Sequence, residues 1–216
     1  MILQFPSNRL PRVAPVQRTG KAMNVFLHIG AHRCATTSFQ EYLRQNAEAL
    51  DERNIGFWGP HRTRNGLFNG ILPGPGAATG RDPQRRAEGR VQMHLARSRA
   101  LGLDHLVISD ENMMGTVREN LRLGALYCGV GERMARFAQA FDGQVTDVVV
   151  NIRSLESYWA SALAYGVSRG HRVPTAAMLD RQVDNRRSWR DVLSDVACAM
   201  PGARIWAMPF ETYGGR

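Results

Sequence analysis

Asn24–Gln40 reads NVFLHIGAHRCATTSFQ, and this stretch decides the fold. Asn24–Ile29 is a short, mostly apolar run that ends at Gly30, the pattern of a buried strand. From Thr36 the period changes: Phe39, Leu43, Ala47 and Leu50 recur at three- and four-residue spacing, as on one face of a helix. Between them, Gly30–Ser38 is a loop of small residues, so strand, loop and helix open a βαβ unit. In such a turn the backbone N–H groups converge on an anion, and the helix N-terminus adds the positive end of its dipole. Thr36, Thr37 and Ser38 bring hydroxyls to the same point, and Arg33 brings full charge.

The alternation continues outward. Ile55–Trp58, His105–Ser109, Thr146–Ile152 and Arg204–Met208 read as strands, and the β-branched run TDVVVNI fits the centre of a sheet. A helix is expected after Asp82 and Pro83 and up to Gly102, with others over Gly131–Phe141, Leu155–Val167 and Trp189–Ala199. Pro60–Gly80 lacks periodicity and reads as a long surface loop. The whole predicts a three-layer α/β/α domain with a mostly parallel central sheet, of the P-loop nucleotide-binding type. Ligands of such folds gather at the carboxyl ends of the strands, here Gly30, Asp110 and Arg153. Residues 1–22 read as a disordered leader, and residues 23–216 as one domain.

Composition narrows the classes. The chain has 216 residues, enough for one α/β domain, and its 44% hydrophobic and 22% charged content excludes general disorder. No apolar run is long enough to span a membrane. Lys21 is the one lysine in a net charge of +9, so the excess is arginine, which grips phosphate or sulfate with a planar fork of donors. Cys34, Cys128 and Cys198 form no Cys-x-x-Cys pair; neither a disulfide framework nor a structural metal is expected, and a reducing cytoplasm is the natural setting.

A nucleoside-triphosphate loop, G-x-x-x-x-G-K-[ST], is the obvious competitor, but the chain has Ala35-Thr36-Thr37 where that motif needs glycine and lysine. A kinase is therefore the weaker reading. His28–Gln40, HIGAHRCATTSFQ, instead resembles the phosphosulfate loop of bacterial sulfotransferases that use 3′-phosphoadenosine 5′-phosphosulfate (PAPS), of the form H-I-G-x-H-K-T-G-T-T-S-x-Q. A second segment, Val148–Ser161 (VVVNIRSLESYWAS), places Arg153 after a strand and Ser161 eight residues on, the separation at which that family holds the nucleotide's 3′-phosphate. The resemblance covers roughly residues 24–211. It implies that His32, Arg33, Cys34, Ala35, Thr36, Thr37 and Ser38 surround the 5′-phosphosulfate, and that Arg153 and Ser161 take the 3′-phosphate. It also implies a chain that stops short of a further helix and nucleotide-covering loop, which in the family follow a segment like Pro209-Phe210-Glu211.

Sulfuryl transfer to a hydroxyl needs a base beside the acceptor and positive charge beside the departing phosphate. Arg33 is the candidate for the charge. Glu111, just past the strand His105–Ser109, is the candidate base, with Asp110 expected to point away; His61 is the alternative base. Two positions depart from the family loop: Arg33 stands for its lysine and Ala35 for its glycine. They keep open a non-catalytic binder of nucleotide or polyanion. The expected acceptor is a hydroxyl-bearing carbohydrate, lipid or small molecule, not nucleic acid. His28 reads as a buried strand residue bonded to backbone, and Cys34 as a thiol whose pKa neighbouring Arg33 and the helix N-terminus lower. The arginines of residues 81–99 read as a solvated helix face, open to contact with an anionic acceptor.

Overall fold

A computed structural model describes residues 3–4, 23–73 and 81–214. In chain order the elements are β1 (Leu3–Gln4), β2 (Asn24–His28), α1 (Thr36–Gln45), α2 (Ala47–Asp51), β3 (Ile55–Trp58), α3 (Pro60–Arg62), α4 (Arg81–Ala100), β4 (His105–Ser109), α5 (Val117–Leu123), α6 (Val130–Phe141), β5 (Asp147–Ile152), α7 (Leu155–Ser168), α8 (Ala176–Asp184), α9 (Trp189–Ala199), β6 (Arg204–Pro209) and α10 (Phe210–Tyr213). The sheet order is β1-β6-β5-β2-β4-β3, with five parallel strands and β1 antiparallel against β6. The expected α/β architecture with a mostly parallel sheet is therefore observed.

Strand alternation explains the layering. Val25, Leu27, Leu106, Ile108, Val148 and Val150 are wholly buried and join one core with Val91 and Leu95 of α4, Met134 and Phe137 of α6, and Val192 and Val196 of α9. Burying a side chain of this size stabilises the fold by roughly 1.5–3 kcal/mol. The α6 positions Val130, Met134, Phe137 and Phe141 make the helical stripe that this requires. On the opposite face Phe26, Val107, Val149 and Met208 meet α1 and α10 across a cavity.

Chain order reverses at β2: β3 and β4 lie on one side of it, β5 and β6 on the other. Such a switch point opens a crevice at the carboxyl ends of the strands. His28 pairs with Ser109 and with Val149, so Gly30, Asp110 and Arg153 emerge at that one edge.

Several expectations change. The stripe Phe39–Leu50 is broken at Asn46, and α1 buries Thr36, Gln40 and Leu43 while Phe39 is 37% exposed. Helix and ring stacking compete here: Phe39 turns onto the His28 ring, 4.5 Å away. Of the loop expected over Pro60–Gly80, residues 74–80 lie outside the described residues; before them α3 runs into a π turn over Thr63–Leu67, with Gly66 at φ 110°, and Thr63, Leu67 and Ile71 are buried. Apolar side chains spaced too irregularly for a periodic signal hold that segment down. In the stretch read as a leader, Leu3–Gln4 pairs with β6; the rest of 1–22 lies outside the described residues. No helix among the described residues is long and apolar enough to cross a membrane.

Candidate functional site

The loop after β2 is tied down by strand-like bonds from Ile29 N–H to Val149 C=O and from Ala31 N–H to Asn151 C=O. Arg33 (φ 65°) and Ala35 (φ 57°, ψ 23°) then adopt left-handed conformations and turn the chain into α1. The first α1 amide with a backbone acceptor is that of Phe39, to Ala35 C=O. The N–H groups of Thr36, Thr37 and Ser38 are thus the orphan donors of a helix N-terminus. Thr37 and Ser38 are exposed and Thr36 is buried.

The two sequence motifs meet here. Arg33 Nε donates to Ser161 Oγ of α7 at 3.1 Å, and its guanidinium lies over the Tyr165 ring at 4.8 Å. Arg153 Nη1 donates to the Arg33 carbonyl at 3.1 Å, and its guanidinium stacks on Phe210 at 4.7 Å. Arg153 Nε is buried and has no hydrogen-bond partner. Buried donors are rarely left so, and this one is a charged group at the mouth of a loop built for anions. The Trp189 indole donates to the Arg153 carbonyl, while Glu211 of α10 accepts the Ser154 N–H at the start of α7 at 2.8 Å.

His32 does not point a free amide or ring at the loop's interior. Its N–H donates to Tyr127 Oη at 3.0 Å, its Nδ1 lies 2.9 Å from the same hydroxyl, and Nε2 lies 3.2 Å from Asn112 Oδ1. The donor count assigns the tautomer: Tyr127 donates to Nδ1, and Nε2–H donates to Asn112. Burial lowers the His32 pKa, consistent with a neutral ring. Cys34 is wholly buried, and burial pushes its thiol up to about 12, against the lowering expected from Arg33 and the helix N-terminus. Desolvation wins because the sulfur faces the core.

His28 is buried, but its partners are side chains rather than backbone. Nδ1 accepts from Ser109 Oγ at 2.7 Å and Nε2 donates to Asn151 Oδ1 at 3.2 Å, while Asn151 Nδ2 donates to Cys34 C=O. Burial takes the His28 pKa down to about 4. Ser109 Oγ also accepts from Gln40 Nε2 at 3.1 Å, and Gln40 Nε2 donates to Glu111 Oε2 at 2.9 Å. One unbroken line of hydrogen bonds thus joins the loop carbonyl of Cys34 to the carboxylate of Glu111.

Asp110 does not point away from Glu111 as expected: both carboxylates meet Arg64 Nη2. Asp110, 3% exposed, accepts from Thr63 Oγ1 at 2.6 Å and Arg64 Nη2 at 2.7 Å, and caps the 3₁₀ turn Glu111–Met113 through the Asn112 N–H. Glu111 is partly buried, with a side chain 13% exposed: Gln40 Nε2 holds its Oε2, and Arg64 Nη2 reaches its Oε1 at 2.9 Å. Burial pushes the Glu111 carboxyl up, but Gln40, a backbone N–H and Arg64 outweigh it and hold it below the usual range. His61 sits exposed on α3 and has no side-chain hydrogen bond among those described. Sequence reading missed Arg64, Ser109 and Asn151. Asn151, a polar residue inside VVVNI, carried the one signal that could have flagged it.

Beside the loop, a cavity of about 460 Å³ lies between α1, α10 and the sheet, lined by Cys34, Ala35, Ser38, Phe39, Tyr42, Asn151, Phe210 and Tyr213 among others. Among the described residues no group of three His, Cys, Asp or Glu side chains is placed to hold a metal ion.

Fold and site together define an α/β protein whose anion-type loop lies at the switch point of a parallel sheet. No protein-family model matches the chain, and no curated protein sequence does. Among solved structures it is similar to the hydrogenase maturation factor HypB from Archaeoglobus fulgidus, with a TM-score of 0.30 and 12% identity over 89% of this chain and 84% of that one.

Proposed function

We propose that the chain is a sulfotransferase that takes a sulfuryl group from PAPS to an acceptor hydroxyl. The observation that carries the reading is the convergence of Arg33, Arg153 and Ser161, 120 and 128 residues apart in sequence, on one loop. A buried arginine Nε without a partner fits a second phosphate beside the one at the helix N-terminus. The adjoining cavity, with aromatic walls from Phe39, Tyr42, Phe210 and Tyr213, has the size and character for a nucleobase.

PAPS supplies an activated sulfuryl group on a phosphate leaving group. The Thr36, Thr37 and Ser38 amides orient the 5′ end, and Arg153 with Ser161 holds the 3′-phosphate. Arg33 neutralises charge at the departing phosphate but, as an arginine, does not protonate it. Glu111 Oε1 takes the acceptor proton. For that the Arg64 contact has to lengthen when the acceptor enters, because the clamped carboxylate is a weak base.

The same clamp favours a second reading, a nucleotide binder without turnover, in which Arg64 and Gln40 hold Glu111 as a structural carboxylate. One pair of measurements separates the readings. 3′,5′-Adenosine bisphosphate raises the melting temperature and ATP with magnesium does not; Arg153→Ala weakens bisphosphate binding by roughly 10- to 100-fold, the loss of one or two charge-assisted hydrogen bonds. Transfer of labelled sulfate from PAPS to an alcohol, abolished by Glu111→Gln, supports the enzyme; binding without transfer supports the binder. A stabilisation by ATP alone would sink both.

A further inference from the structure

At the β3 edge of the sheet Arg62 and His94 meet, with Arg97 near, and no ion pair to a carboxylate holds them among the described residues. Arg62 of α3 lays its guanidinium over the Trp58 ring, 4.6 Å from the centroid, and places Nη2 2.8 Å from Nδ1 of His94 on α4. The His94 ring meets Trp58 edge-on at 6.0 Å. Arg97 follows three residues along the same helix, close enough that its charge acts on both Arg62 and His94. Arg64, Arg187 and Arg204 are each matched to an acidic partner, but among the described residues neither Arg62 nor Arg97 has an ion pair. A fold gains nothing by gathering basic groups over a buried tryptophan, 2% exposed, with no acid to match them; an anion between them removes the repulsion.

Position adds to the case. β3 runs parallel to β4 with Trp58 opposite Ile108, so α3 leaves the sheet level with Asp110 and Glu111. The cluster is one strand away from the candidate base, on the carboxyl edge where ligands of this fold enter. It stands on the far side of that base from Arg153 and Ser161, which lie beyond β5.

We propose that Arg62, His94 and Arg97 form a subsite for one oxyanion, a sulfate, phosphate or carboxylate, borne by the acceptor. Assigning that oxyanion to the acceptor rests on the sulfotransferase reading; the oxyanion chemistry itself does not. In the free protein the His94 Nδ1 accepts from Arg62. With the anion bound, Arg62 turns its N–H groups to the ligand, Nδ1 takes a proton, and all three side chains donate. The charged groups acting on His94 are Arg62 from α3 and Arg97 from its own helix, and β3 presents an uncharged ring. Burial, Arg62 and Arg97 lower the His94 pKa in the free protein, so the bound anion raises it and affinity increases as pH falls through that interval.

The test is an NMR titration of the histidine ring protons in the full chain without nucleotide, using inorganic sulfate, a sulfated disaccharide and its unsulfated parent. The sulfated disaccharide is expected to shift the His94 resonance, raise its titration midpoint and bind more tightly than inorganic sulfate. The parent should leave that resonance in place. Arg97→Gln, on an exposed helix face, should weaken binding by roughly 5- to 10-fold while leaving the affinity for 3′,5′-adenosine bisphosphate as it is. No response of His94 to either anion at millimolar concentration, or an equal response in Arg97→Gln, overturns the subsite. Inorganic sulfate binding as tightly as the disaccharide overturns its assignment to the acceptor. An oligonucleotide that displaces the disaccharide at equal charge concentration overturns it in favour of a general polyanion surface. Bisphosphate that fails to bind while His94 still responds would remove the sulfotransferase reading and leave the oxyanion site standing.

Discussion

Ala35 holds a conformation that L-residues with a Cβ adopt at a cost. At φ 57° and ψ 23° it is the residue before α1, where a left-handed turn aims the helix N-terminus at the loop. That cost is about 1 kcal/mol for alanine and larger for a β-branched side chain. Glycine removes the strain but loses part of the gain to the freedom of the unfolded chain. The expected order of stability is therefore Ala35→Gly equal to or above the native chain by up to about 1 kcal/mol, and Ala35→Val below it by about 1–2 kcal/mol. Urea denaturation midpoints of the three proteins check it; Ala35→Val matching the native chain would show that the left-handed turn is absent. Arg33, at φ 65°, shares the turn, so this side chain is fixed at its backbone as well as through Ser161. Both residues were visible in the letters of the sequence, but which backbone conformation they occupy was not.

Three parallel strands meet through the His28 side chain, which links β2 to Ser109 at the end of β4 and to Asn151 on β5. Its pKa falls from 6.5 to about 4 on burial, so the unfolded chain binds the extra proton first. This cross-strand tie is fully present above pH 6.5 and is lost as pH falls towards 4. Between pH 7 and 5 the native chain is expected to lose about 2 kcal/mol that His28→Gln does not lose. Chemical denaturation at the two pH values measures the difference, and parallel slopes for the two proteins would contradict it. His28 was legible as buried, because an apolar strand enclosed it; its partners were not, because Ser109 and Asn151 lie 81 and 123 residues away. The same distinction separates α6, whose stripe of Val130, Met134, Phe137 and Phe141 is a local signal, from the π turn at Thr63–Leu67. From that turn Thr63 and Arg64 also reach across to Asp110, which no local period records.

Seen whole, the molecule places its sequence-local features and its long-range ones at one sheet edge. Strand, loop and helix were readable from Asn24–Gln40, and the parallel sheet from the alternation that follows. Arg153 and Ser161 were singled out by the resemblance of their segment to a sulfotransferase motif. What required three dimensions was the clamp of Arg64 on Glu111 and the commitment of His32 to Tyr127 and Asn112. Trp189 sits where these threads cross. It is 8% exposed, its indole N–H donates to the Arg153 carbonyl, and its ring lies 6.1 Å from Tyr127 and 5.3 Å from Tyr158. The Tyr127 hydroxyl in turn holds His32 in the loop. On the proposed reading the protein carries an optical gauge of its own: a phosphate that settles on Arg153 or tightens the loop would alter the surroundings of one indole. Titration with 3′,5′-adenosine bisphosphate should change the intrinsic emission intensity or wavelength, and Trp189→Phe should silence most of that change while Trp58→Phe leaves it. An undiminished signal in Trp189→Phe would place the reporter, and the motion it senses, elsewhere in the fold.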